Sequence, residues 1–99
     1  MTTPEERRRN WIWGHQMLGE LAQDEQLPIS DRRLAAALLA AYPAEEQLAG
    51  MDAEHVERLP VDFADLLTAS RHLFSRLHVD DGVAEGRRRA LLVILRHFR

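Results

Sequence analysis

One stretch limits the fold more than any other. In "VDFADLLTASRHLFSRLH", residues 61–78, the positions Phe63, Leu66, Leu67, Ser70, Leu73, Phe74 and Leu77 recur at steps of one or three residues. That spacing puts them on one stripe of a 3.6-residue helix and does not fit the strict alternation of a half-buried strand. Asp62 stands where it can cap the helix.

A helix with such a stripe needs other helices to bury it, and the rest of the chain offers them. "TPEERRRNWIWGHQMLGELAQDE" opens with Thr3 as cap, Pro4 at the first helical position and Glu6 closing a capping box. Trp11, Gly14, Leu18 and Leu21 mark its buried face, so a helix is predicted from Pro4 to Asp24. After a Leu27-Pro28 turn, Ser30 is placed to cap an alanine-rich helix that stops near Tyr42, because Pro43 disfavours helix in the residue before it. "AEEQLAGMDAEHVERLP" carries Gly50 and Pro60, and predicts a helix of one or two turns after Asp52 within an otherwise irregular connector. A turn at "VDDG" leads to a closing helix from Val83 to His97, with Val83, Ala90, Leu91, Ile94, Leu95 and Phe98 on one stripe. The expected fold is all-α: a single domain, residues 1–99, of four main helices arranged as two antiparallel hairpins, plus a short connector helix.

Leu92 and Val93 fall off the closing stripe and leave that helix apolar round most of its circumference. Such a helix is either central in its bundle or gives a second face to another chain.

The two halves echo one another. Residues 11–43 placed over 67–99 without a gap match Leu21 to Leu77, Asp24 to Asp80, Arg32-Arg33 to Arg88-Arg89, Leu39 to Leu95 and Tyr42 to Phe98. Two unrelated amphipathic hairpins could match as well by accident, so the sequence leaves duplication open. If the repeat is real, the hairpins pack about a pseudo-twofold axis, with Ala35, Ala36 and Ala37 a small complement to Leu91, Leu92 and Val93.

"MTTPEERRR", "LPISDRR" and "LLAAYP" in the first half, and "ILRHF" in the second, resemble short uncharacterised proteobacterial helical-hairpin proteins. These start in the same way, turn at "LP" and end on leucine, arginine, histidine, aromatic and proline. The resemblance covers residues 1–45, with a tandem copy in 67–99. Ala40 and Ala41 stand in place of the signature's arginine and histidine, and Arg99 in place of its proline. A helical hairpin is what the resemblance implies; it transfers no activity.

No chemistry-bearing constellation appears. Cysteine is absent, which removes thiolate metal sites, disulfides and thiol nucleophiles. The five histidines show no i, i+4 pair around a glutamate; His55 beside Glu54 and Glu57, and His78 beside Asp80 and Asp81, read as solvated side chains before they read as ligands. The acid pairs sit at helix starts and turns, and no serine has a histidine and an acid at convincing spacing. The expectation is therefore no enzyme, no metal and no cofactor.

Charge is distributed unevenly around a net of −3. Residues 44–65 hold seven acids against Arg58, whereas residues 66–99 hold seven arginines against Asp80, Asp81 and Glu85. The favoured reading of this split is pairing within one molecule. All 13 basic residues are arginine, for which base composition of the genome is the favoured account and selection for bidentate contacts the alternative. Arg87, Arg88 and Arg89 lie at a helix start, where they oppose the macrodipole, and so call for acidic neighbours or an anionic partner. Trp11 and Trp13 lie about 200° apart on their helix, so one of them falls at the edge of the buried stripe.

The functional expectation is a non-catalytic protein-protein interaction module. Trp11 or Trp13 with Leu92 and Val93 would be its anchors, and Arg87, Arg88 and Arg89 or the acidic segment would set specificity. The simplest partner is a second copy, a homodimer; a small bacterial or phage-borne inhibitor of a larger complex is another version. The alternative is a DNA-binding regulator, disfavoured by net charge and by the lack of a polar recognition helix. No apolar run approaches a membrane span, and a cytoplasmic location is expected.

Overall fold

A computed structural model describes residues 2–99. Six helices follow one another: α1 Pro4–Gln23, α2 Ile29–Ala41, α3 Glu45–Gly50, α4 Ala53–Asp62, α5 Ala64–His78 and α6 Glu85–Leu95. The molecule is an all-helical bundle, with α1–α2 and α5–α6 as its two hairpins.

Local chemistry accounts for most of the ends. The capping box at Thr3 forms as read: the Glu6 amide donates to Thr3 Oγ1 (3.2 Å) and the Thr3 amide to Glu6 Oε2 (3.3 Å). Two other caps differ from expectation. α2 starts at Ile29 behind Pro28, without a side-chain cap, so Ser30 lies inside the first turn. Asp62 ends α4 and pairs with Arg58 at 3.2 Å instead of capping α5, which begins one residue beyond Phe63.

The connector is more ordered than Gly50 and Pro60 suggest. It holds two helices, because each breaker falls where a helix can bear it: Gly50 is the last residue of α3, and Pro60 lies in the last turn of α4, where only one backbone bond is lost. Asp52 caps α4 by accepting from the His55 amide at 2.9 Å. Arg8 reaches from α1 to the carbonyls of Leu48 (2.6 Å) and Ala49 (3.3 Å), putting a cation on the open end of α3. Leu48, Val56 and Leu59 bury their side chains in the same core as Trp11, Leu18, Leu21, Leu73, Phe74, Leu77, Leu91 and Phe98. The connector thus packs across the bundle as a structural layer.

The two hairpins repeat one another in three dimensions. Shifted by 56 residues, the start of α2 at Ile29 falls on the start of α6 at Glu85. Their preceding residues share one backbone conformation, φ −54° ψ 146° at Pro28 and φ −54° ψ 140° at Ala84. In each turn an aspartate accepts from the amide two residues on, Gln26 to Asp24 at 3.0 Å and Gly82 to Asp80 at 2.8 Å. The next amide closes the turn on the same aspartate's carbonyl, Leu27 to Asp24 and Val83 to Asp80, both 3.0 Å. The hairpins meet reciprocally, α1 against α6 and α5 against α2, which is the pattern of units related by a twofold axis.

The proposed complement of small against large residues does not form. Ala35 and Leu91 are both buried, but Ala36, Ala37, Leu92 and Val93 all face outward. Nor is α6 the central helix: α1 is, touching α2, α3, α4 and α6. The second face of α6 is left bare.

Candidate protein-interaction surface

The sequence nominated seven residues, and the bundle separates them into three groups. Trp11 belongs to the core. It is fully buried, with Phe98, Tyr42 and Phe63 at ring-centroid distances of 5.4, 5.5 and 6.3 Å. Its indole N–H donates to the Arg99 carbonyl at 3.0 Å, so neither its face nor its polar edge is available to a partner. Trp11 is therefore corrected from anchor to core residue. The tryptophan at the edge of the stripe is Trp13, 37% exposed, with the Arg9 guanidinium 5.4 Å from its ring centre.

The three consecutive arginines are engaged within the chain. Arg87 donates to Glu20 at 2.8 Å and lies 3.6 Å from Asp24. Arg88 donates through Nε to the Val83 carbonyl at 3.1 Å and sits 3.7 Å from Asp81, bracing the turn. Arg89 pairs with Glu85 at 2.9 Å on the exposed side of α6. Acidic residues thus offset the cations that oppose the macrodipole, but these lie on α1 (Glu20), in the two interhelical turns (Asp24, Asp81) and at the start of α6 itself (Glu85). The acidic segment 44–65 is not what they meet. Asp52 and Asp62 engage within α4 and its cap, with His55 at 2.7 Å and with Arg58, while Glu45 accepts from Gln16 of α1 at 2.5 Å.

Leu92 and Val93 remain exposed, 37% and 44%. Val93 faces the seam between α1 and α6, where it meets Trp13. The two are the walls of a groove of about 350 Å³ with Met17, Ile94 and Ala90 along it and Gln16 and Glu20 at its rim. Through Glu20 and Ala90 the groove runs on into a wider channel of about 850 Å³, bounded by Gln23, Asp24, Glu25 and Gln26 on one side and Ala84, Gly86 and Arg87 on the other. The seam is apolar at one end. At the other it carries three carboxylates, Glu20, Asp24 and Glu25, against the single guanidinium of Arg87. Ala84, Gly86 and Ala90 keep the α6 wall low there.

Twofold pairing supplies an internal comparison. Under the shift of 56, the α2–α5 seam has Ala69 where this one has Trp13, and Ala37 where it has Val93. Large anchors stand on one of two related seams.

His55 and Asp52 shift one another at the surface. The side-chain bond from Asp52, 2.7 Å away, holds His55 above the usual imidazole range, and the His55 amide holds Asp52 below the usual carboxylate range. They form a helix cap rather than a reactive pair. Burial raises the Tyr42 hydroxyl far above its ordinary value, so it stays protonated and donates to the Trp11 carbonyl at 2.7 Å. No group of three or more histidine or acidic side chains that could hold a metal occurs among the described residues. No helix among them is long and apolar enough to cross a membrane.

The sequence missed Met17, Ile94 and Glu20 as groove residues. Ile94 read as core stripe, Met17 flanks the α1 stripe and Glu20 carries no sequence signal; only the meeting of α1 with α6 joins them. Comparison with protein-family models, with curated proteins and with solved structures finds no match, so a functional reading rests on this surface alone.

Proposed function

We propose that the protein is a non-catalytic protein-interaction module whose α1–α6 seam receives an amphipathic helix. The observation that carries this is the meeting of Trp13 and Val93, far apart in sequence, as the two apolar walls of one groove. A helix in a groove buries its apolar face between two others and is read at i, i+3, i+4 and i+7, a length that the seam accommodates. The partner's chemistry follows from the lining: apolar residues toward Trp13, and arginine or lysine toward Glu20, Asp24 and Glu25, where carboxylates are in excess. Leu92, next to Val93, would lie at the rim. A small inhibitor that seats a helix of a larger complex is one form such a module takes, and cytoplasmic residence suits it. Binding to duplex DNA is the weaker reading, because Arg87, Arg88 and Arg89 each already have a carboxylate within ion-pair reach.

A photo-crosslinking residue placed at position 92 tests this, with Val93→Asp and Trp13→Ala as seam variants and Leu34→Asp as a control. Leu34 is equally exposed, 40%, but lies on the related α2–α5 side. A partner crosslinked in the wild type and in Leu34→Asp, but lost in Val93→Asp, supports the seam. For a purified partner, Trp13→Ala is expected to weaken binding by about 30-fold, the loss of a buried aromatic anchor. Equal capture by all variants, judged folded by circular dichroism, would reject the seam, and a crosslink only to the chain itself would make the occupant a second copy.

A further inference from the structure

The ion pairs between the hairpins have a pattern that neither hairpin shows alone. Two pairs cross the interface at short range: Arg87 on α6 with Glu20 on α1 at 2.8 Å, and Arg76 on α5 with Asp31 on α2 at 2.6 Å. Under the shift of 56 residues, position 20 corresponds to 76 and position 31 to 87. The two pairs are therefore one contact seen twice, each position of one hairpin meeting the other position of its mate. The signs differ between the halves. The first hairpin is acidic at both positions, Glu20 and Asp31, and the second basic at both, Arg76 and Arg87.

In a true twofold interface a residue and its counterpart are identical, so a charged pair across it would repeat within every like pairing. Here like pairing is penalised. Two first hairpins would set Glu20 against Asp31 twice, and two second hairpins would set Arg76 against Arg87 twice. Only first with second gives attraction at both places. One member of each pair is partly shielded from water, Asp31 11% and Arg87 21% exposed in the side chain, while Arg76 (44%) and Glu20 (59%) are open to solvent, so the penalty for a like pairing falls mainly on Asp31 and Arg87. Asp24 and Asp80 flank the two pairs and are the same residue in both halves: Asp24 adds to the hold on Arg87 and Asp80 to that on Arg76, and in like pairings the same aspartate would add to the repulsion between two first hairpins and offset part of it between two second hairpins.

We propose that Glu20 and Asp31 on one side, with Arg76 and Arg87 on the other, form a pairing code. It admits the α5–α6 hairpin onto α1–α2, from the same chain or from a second copy, and rejects either hairpin by its own kind. Exchange between chains would require the connector of α3 and α4, which joins the two hairpins, to open. In the wild type the linked partner wins through its high local concentration. This inference does not rest on the occupant of the α1–α6 seam.

Three full-length variants test it: an all-basic chain (Glu20→Arg, Asp31→Arg), an all-acidic chain (Arg76→Glu, Arg87→Glu), and the fourfold exchange of both sets. The first two are expected to melt about 10 °C or more below the wild type, with the gap shrinking in 1 M salt. The fourfold variant restores attraction at both places and should recover most of that loss, which separates the code from damage done by any single substitution. An equal mixture of the all-basic and all-acidic chains should sediment at twice the monomer mass with a recovered midpoint. A fourfold variant no more stable than its parents would overturn the code. A mixture that stays monomeric at tens of micromolar would overturn the claim that a second copy can supply the hairpin.

Discussion

Replacing Gly14 by alanine should damage this bundle, and removing one distant oxygen should undo much of that damage. A Cβ at Gly14 would stand 2.5 Å from the Tyr42 hydroxyl and 3.2 Å from Cε1 and Cζ of Phe98. Tyr42 has little room to yield, since its ring lies against Trp11 (5.5 Å) and His15 (5.6 Å) and its hydroxyl is tied to the Trp11 carbonyl. Reaching ordinary contact requires a shift of about 1 Å, which breaks that hydrogen bond and costs about 1–3 kcal/mol for a buried hydroxyl left unpaired. Overpacking adds about 1–3 kcal/mol. Exchanging glycine for alanine inside a helix returns about 1 kcal/mol. The net loss is about 1–5 kcal/mol, and its midpoint of about 3 kcal/mol is a fall in Tm of about 12–24 °C for a chain of this size. Tyr42→Phe alone should cost about 1 kcal/mol, because the Trp11 carbonyl keeps its helical bond. In Gly14→Ala with Tyr42→Phe, only the looser contacts to Phe98 remain, so the double variant should be more stable than Gly14→Ala alone. Thermal and urea unfolding of the four proteins gives the cycle. Additive losses, with the double variant the least stable, would refute the stated cause. The second hairpin makes the same trade in its own sequence: Ser70 stands for Gly14, and Phe98, without a hydroxyl, for Tyr42.

Two further outcomes follow from groups already described. The Ser70 hydroxyl is fully buried and has no hydrogen-bond partner, so Ser70→Ala should be neutral or stabilise by up to about 1 kcal/mol in urea unfolding; a clear destabilisation would mean that the hydroxyl is satisfied after all. His55 is held above its ordinary value of 6.5, so its share of the α4 cap is complete below that pH and fades as pH rises through the folded-state value. Asp52 is held below its ordinary 3.8, so its share is complete above that pH and fades as pH falls through its own folded-state value. The cap is firmest between the two, and Asp52→Asn should return the His55 ring titration, followed by NMR, to the usual range; an unchanged titration would dismiss the pairing.

The helices were legible because their faces are written locally. Trp11, Gly14, Leu18 and Leu21 on α1, and Leu66 through Leu77 on α5, keep the helical period, and all but the half-buried Leu67 are buried. Ends were less legible where two residues compete for one duty, as Pro28 does with Ser30, or where a breaker falls at a tolerant position, as Pro60 does in the last turn of α4. The surface was legible only by halves. Trp13 and Val93 each stood out as apolar residues off their stripes, but their meeting depends on α1 crossing α6. The code between hairpins was hidden for the same reason: Glu20 and Arg76 are unremarkable surface residues until the repeat aligns them and the fold sets Asp31 and Arg87 across from them.

The grip of the first helix on the last residues has a consequence for synthesis. Trp11 donates to the carbonyl of Arg99 and packs its ring on Phe98, and Arg7 holds that same carbonyl at 3.0 Å. Arg71 of α5 binds the carbonyl of Phe98 as well. A chain emerging from the ribosome can form α1–α2 early, since its contacts are close in sequence, but the largest side chain of the core then waits for residues 98 and 99, far along the chain. Without residues 98 and 99 the indole lacks its Arg99 carbonyl acceptor and the aromatic cluster lacks the Phe98 ring. Phe98 and Arg99 therefore act as a latch that joins α1 to α5, and a chain lacking them would leave Trp11 without its ring neighbour and its acceptor.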